Sequence, residues 1–115
     1  PEVTEFTWQR LADGNGIEGF LAVDPQGQGV GLVHFMYHTS AHSLGDNCYL
    51  QDLFVEPTAR GGGIGVALIQ AVAAAAREKK AALVYWQTEE FNGTARRVYE
   101  RVAKRVPFIR YNLEL

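Results

Sequence analysis

Four glycines crowd together at Gly61, Gly62, Gly63 and Gly65, directly after Arg60. A strand-like run, Cys48 to Val55, precedes them, and Val66 opens a run with Leu68, Ile69, Val72 and Ala76 at helical spacing. A strand, a glycine-dense loop and a helix N-terminus together make an anion cradle. Glycine lets backbone N–H groups turn toward a phosphate, no side chain blocks the approach, and the helix dipole favours negative charge there. A nucleotide-hydrolase loop would need Lys and Ser or Thr after its last glycine, where Val66 and Ala67 stand. A dinucleotide fingerprint would need a final glycine where Val66 or Leu68 stands. The alternative is a tight turn that merely tolerates glycine.

Further along, residues 82–88 read as a strand, and Asn92 begins a helical pattern carrying Ala95, Val98, Tyr99, Val102 and Ala103 on one face. Asn92 is a good N-cap. By itself that leaves Asn92 as a cap and Tyr99 as a core aromatic. Taken together, Arg60-x-x-Gly63-x-Gly65 and Asn92-x-x-Ala95-x-x-x-Tyr99 resemble the GNAT superfamily of N-acetyltransferases, which hold acetyl-coenzyme A. The resemblance implies that Arg60, Gly61, Gly62, Gly63, Ile64, Gly65 and Val66 hold the coenzyme's pyrophosphate. It also implies that Asn92, beside Ala95, binds the pantetheine arm, and that Tyr99 protonates the departing thiolate. In the same family the backbone of Leu53, Phe54 and Val55 pairs with pantetheine as an added strand would and donates to the thioester oxygen.

Over residues 16–115 the pattern is similar to the subgroup of diamine/polyamine and histone-type acetyltransferases. Those relatives often carry Glu, proposed as general base, where this chain has Gln51. An amide cannot take that proton. Asp52 stands next to it, but neighbouring side chains on a regular strand face opposite ways, so Asp52 does not inherit the position. The catalytic set is therefore read as Tyr99 with Asp52 and Gln51. The base is left open between Asp52, Gln51 and a loop histidine, acting through water.

His34, His38 and His42 recur every four residues. A strand-to-loop setting breaks the helical geometry that a metal site of that spacing needs, so no metal is expected. His38 and His42 could line an acceptor pocket. Arg97, Arg101, Lys104 and Arg105 read as a solvated basic stripe, and Tyr85 and Trp86 as core. Carboxylates at Glu89 and Glu90 would draw a cationic amine toward the strand ends.

These groups need a frame. At 115 residues with 47% hydrophobic content the chain fits one core, a single domain over residues 1–115. The net charge of −2 argues against a nucleic-acid partner, and no apolar run approaches membrane-spanning length. The lone Cys48 excludes an internal disulfide and fits a reducing, cytoplasmic setting. The pattern predicts a helix over 5–13, strands over 17–24, 29–38, 48–55, 84–88 and 108–115, and helices over 66–80 and 92–103. The expected class is α/β (α+β): a mixed, mostly antiparallel sheet flanked by helices, with a central parallel strand pair splayed around acetyl-CoA. The family usually carries a further strand and helix before this point, so a trimmed N-terminus is expected. So is a homodimer joined through C-terminal strands. The expected function is acetyl transfer from acetyl-CoA to a small cationic amine or lysine. A catalytically weak acyl-CoA sensor and a dinucleotide-binding oxidoreductase fragment are the alternatives.

Overall fold

The computed structural model describes residues 7–12, 14–59, 63–88 and 92–115. Five strands form one sheet in chain order: β1 (Thr7–Ala12), β2 (Ile17–Val23), β3 (Gly29–His38), β4 (Asn47–Val55) and β5 (Leu83–Tyr85). The first three joints are antiparallel, and β4 and β5 are parallel. Helix α1 (Ile64–Glu78) makes the crossover that a parallel pair requires, and α2 (Gly93–Val102) follows β5.

The core lies between one face of the sheet and α1. Val33 and Phe35 from β3 and Cys48 and Leu50 from β4 meet Ile64, Leu68, Ile69, Val72, Ala75 and Ala76 of the helix. Those helical positions are the apolar stripe that the sequence spacing marks. Phe20 stacks on Phe35 with ring centroids 5.5 Å apart, extending the core toward β2. Gly31 sets how closely α1 can approach. A Cβ there would stand 2.9 Å from Ile64 Cγ2 and 3.1 Å from Leu68 Cδ1, so the missing side chain lets the first turns of α1 settle onto β3.

The first two strand reversals have local causes. Asp24 Oδ1 accepts from the backbone N–H of Gln26 at 3.0 Å and of Gln28 at 2.9 Å, closing the β2–β3 turn read from Pro25, Gln26, Gly27 and Gln28. The expected helix over 5–13 is a strand instead where it is described. β1 pairs with β2 from Thr7↔Val23 to Ala12↔Glu18, while Glu5, Phe6 and Asp13 lie outside the described residues. Gly14 and Gly16, at φ 77° and 94°, reverse the chain in a short loop and bring β1 alongside β2. Pairing then outweighs the helical spacing of Trp8 and Leu11.

Two other expectations need correction. The strand over 82–88 shrinks to Leu83–Tyr85, because Trp86 leaves the ladder to pack edge-on against Tyr99 at 5.5 Å. The strand over 108–115 does not form. Residues 104–115 are exposed and outside any ladder, although Tyr111 and Leu113 alternate with polar neighbours. Alternation alone makes no strand, since the ladder bonds must come from a neighbour. Arg110 instead bonds the side chains of Asn112 and of Gln87, just past β5. The helices keep their predicted places, with α1 beginning two residues earlier, at Ile64 rather than Val66.

Replacing Gly31 by Val should overpack the joint between α1 and β3 and cost about 1–3 kcal/mol. Urea unfolding would read the loss as a lower midpoint at unchanged slope.

Candidate active site

β4 builds the site because its two neighbours treat it differently. It pairs with β3 from His38↔Asn47 to Gly31↔Val55, but with β5 only at Asn47↔Leu83, Cys48↔Val84 and Tyr49↔Tyr85. Beyond Tyr49 it runs on to Val55 without the parallel ladder. The splay expected near Leu53, Phe54 and Val55 thus begins earlier, directly after Tyr49. Leu53 and Val55 pack against the core on the α1 side, while Phe54 is 52% exposed.

At the far end of β4 the chain makes a 3-10 turn over Pro57–Ala59 and enters α1 through Gly63. Gly63 is the N-cap at φ 81°, ψ 10°, left-handed backbone that glycine adopts without penalty. No side chain caps α1, and its first turn holds no acidic residue. The N–H groups of Ile64, Gly65 and Val66 therefore stand at the positive end of the helix without an intrahelical acceptor. Among the described residues nothing lies within 4 Å of the place a Gly63 side chain would occupy, and a Gly65 side chain would meet only Val55 Cγ2, at 3.8 Å. Ile64 is buried and serves the core through its side chain; Val66 is half-buried. Arg60, Gly61 and Gly62 lie outside the described residues, as do Glu89 and Glu90.

Asn92 and Tyr99 come with α2, which follows β5. Asn92 Oδ1 accepts from the Ala95 N–H at 3.3 Å, so the residue caps α2, and among the described residues its Nδ2 bonds no partner. Ala95, Val98 and Tyr99 are half-buried on one side of α2, whereas Val102 and Ala103, expected on the same face, are exposed where the helix ends. Burial holds the Tyr99 phenol above its ordinary pKa. It stays protonated through the neutral range, the state a proton donor must have.

Gln51 and Asp52 overturn the expectation that they face opposite ways. His34 pairs with Asp52 and Phe35 with Leu50, so Gln51 is an extra residue, a β-bulge. Cys48 and Leu50 point into the core before it, and Leu53 and Val55 pack on the core after it. The switch leaves Gln51 and Asp52 both exposed and lining one cavity of about 440 Å³, with Leu11, Ala12, Ile17, Glu18 and His34. His34 Nδ1 lies 3.3 Å from Asp52 Oδ2. No pattern along the chain marks this pair, because the register that joins the two residues depends on the bulge.

The remaining histidines go elsewhere. His38 Nδ1 donates to the Thr39 carbonyl at 2.9 Å, so its Nε2 accepts from the Tyr85 hydroxyl at 2.7 Å. The ring of Tyr85 stands 4.9 Å from that of Tyr49, and neither His38 nor His42 lines the cavity. Tyr85 thus belongs to this polar cluster, while Trp86 packs on the core as expected. Cys48 is fully buried, and burial pushes its thiol up to about 11, which denies it a nucleophile's role at neutral pH.

The model of the Acetyltransferase (GNAT) family matches residues 2–103. The chain is 33% identical over 113 residues to the D-amino-acid N-acetyltransferase HPA3 of Saccharomyces cerevisiae, covering 96% of this chain and 70% of that protein. It is 35% identical over 85 residues to the thialysine N-epsilon-acetyltransferase of Sus scrofa, covering 71% of this chain but 48% of the pig protein. Among solved structures, an integron cassette protein from the mobile metagenome of V. cholerae superposes with a TM-score of 0.81 at 28% identity. That match covers 90% of this chain and 64% of the other.

Gly63→Asp would set a carboxylate into the open mouth of the cradle, at a backbone conformation that Asp tolerates. Coenzyme A affinity should fall beyond detection by calorimetry while the thermal unfolding curve keeps its cooperativity.

Proposed function

Because the chain belongs to the acetyltransferase (GNAT) family, we propose that it transfers an acetyl group from acetyl-CoA to a primary amine by direct attack. The observation that carries this reading is the fork of β4 and β5. Past the fork one arm leads to the uncapped start of α1, and the other runs on toward α2, which Asn92 caps and which holds Tyr99. The pyrophosphate would sit on the N–H groups from Gly61 to Val66. Pantetheine would lie along Leu53, Phe54 and Val55 beside Asn92 and Ala95. The amine attacks the thioester carbonyl, the C–S bond breaks, and Tyr99 gives its proton to the leaving thiolate. Inert Cys48 supports a route without an acetyl-enzyme intermediate.

For the acceptor, we place a small cationic amine or a lysine side chain in the cavity beside Asp52. Its volume suits a small molecule, and the carboxylate would draw an ammonium group. The names of the yeast and pig relatives, which act on D-amino acids and thialysine, point to the same size of primary amine. Gln51 favours a second reading, an acyl-CoA-binding module of weak activity, since it removes the acid that polyamine-acting relatives use. Thiol release from acetyl-CoA with diamines, polyamines, D- and L-amino acids and lysine peptides separates the two. Acetyl transfer to at least one cationic amine is expected, and binding of coenzyme A without any transfer selects the second reading.

Tyr99→Phe removes the proton but keeps the ring against Trp86. Turnover should fall about 10²- to 10⁴-fold with little change in acetyl-CoA affinity. Steady-state kinetics beside calorimetry would test that split.

A homodimer in the cytoplasm completes the proposal. What supports the dimer is the run Phe108, Ile109, Tyr111, Leu113 and Leu115, each at least 76% exposed, together with half-exposed Leu83 on the edge strand β5. A second copy would cover this apolar surface and supply ladder bonds to an unprotected edge. Light scattering at micromolar concentration should give twice the chain mass, and a stable monomer there would count against the dimer.

A further inference from the structure

We infer that His34, oriented by Asp52, is the base that takes the proton from the acceptor amine; this rests on the acetyltransferase reading above. An acetyl acceptor arrives as an ammonium ion and needs a proton acceptor before it can attack. Gln51 cannot serve. The bulge that exposes Gln51 also sets His34 and Asp52 directly across the β3–β4 joint, with Nδ1 and Oδ2 3.3 Å apart. An ionised carboxylate only accepts hydrogen bonds, so Nδ1 carries the imidazole proton and the lone pair stands on Nε2. Among the described residues nothing bonds Nε2.

The sheet is shaped to admit a ligand at this ring. Leu11, Gly19, His34 and Asp52 form one row across β1, β2, β3 and β4. Gly19 leaves the middle of that row low. A Cβ there would lie 3.2 Å from His34 Cδ2 and 2.6 Å from the Val33 carbonyl oxygen, so any larger residue would press on the ring and on the backbone behind it. The His34 side chain is 35% exposed and lines the same cavity as Gln51 and Asp52. Among the described residues the other charged group on that cavity, Glu18, is engaged by Arg10 and by Lys79 at 3.4 Å. That leaves Asp52 as the carboxylate that faces the imidazole.

Protons balance through two exits. The ammonium gives one proton to Nε2 of His34, directly or through one water, and the neutral amine forms the N–C bond as the C–S bond breaks. The nitrogen then holds one proton more than the amide needs. Of the two protons lost from nitrogen, one ends on the coenzyme thiol by way of Tyr99. The other leaves to solvent from His34, which returns to its neutral form. His34 is catalytic in this scheme, and Asp52 is a positioning residue that fixes its tautomer.

The test uses the full chain, acetyl-CoA and the best cationic amine of the acceptor panel. His34→Gln keeps a polar side chain of similar reach without a base, and should lower kcat about 10²-fold or more while coenzyme A affinity holds. His34→Ala should show the same loss and recover turnover in proportion to added imidazole, a rescue that a merely structural histidine would not allow. Wild-type turnover with H34Q within threefold of it overturns the inference, as does an H34A variant that binds coenzyme A but ignores imidazole. A wild-type chain that binds coenzyme A and acetylates no amine overturns the acetyltransferase reading first, and this inference with it.

Discussion

The site depends on an imbalance of backbone hydrogen bonding along one strand. β4 is held along its length by β3 but by β5 at only three register positions. Interior strands normally satisfy their backbone on both sides, because an unmade ladder bond away from water costs about 1–3 kcal/mol. Here the parallel ladder ends at Tyr49, and past it water or a ligand backbone can bond β4 in place of β5. α1 makes this tolerable. Its packing on Val33, Phe35, Cys48 and Leu50 fixes β4 from below, so the strand keeps its course without a second neighbour.

The bulge at Gln51 has an equally local cause and a wider effect. One extra residue reverses the facing of everything after it. Leu53 and Val55 turn to the core, which keeps the end of β4 seated beneath α1, and two consecutive polar residues are delivered to the opposite face. That face carries His34, His38, Gln51, Asp52 and the phenols of Tyr49 and Tyr85, while the α1 face holds buried apolar groups. Glu18 marks the boundary. Burial opposes its ionisation, but the bonds from Arg10 and Lys79 outweigh that and hold its carboxyl below its ordinary pKa.

Much of this was legible in the residues. The glycine entry to α1 at Gly63, the helix behind it, the β2–β3 hairpin, β4 and the helix capped by Asn92 all carry local signals: turn residues, caps and periodicity. What escaped depends on which segment lies beside which. Trp8 and Leu11 suggested a helix, yet a two-glycine turn and a neighbouring strand made β1. Residues 108–115 alternate like a strand, yet alternation names no partner and they remain outside the sheet. Asp52 stays a candidate in the sequence but not at Gln51's position, because a regular strand would point the two opposite ways. A bulge is a property of a strand pair, and neither strand's sequence announces it. The pairing of His34 with Asp52 was invisible for the same reason.

Cys48 gives this architecture an internal clock. Its thiol is fully buried, and the residue sits opposite Val84, the middle of the three positions that join β4 to β5. A small alkylating reagent can reach it only when the structure around that joint opens, and only the rare thiolate then reacts. The labelling rate therefore counts openings at the crotch of the fork, one residue short of where the strands part. A ligand that bridges the two arms binds the closed form and slows the labelling by the factor one plus its concentration over its dissociation constant. The single cysteine thus turns occupancy of the fork into a protection rate, readable by mass without any knowledge of the acceptor.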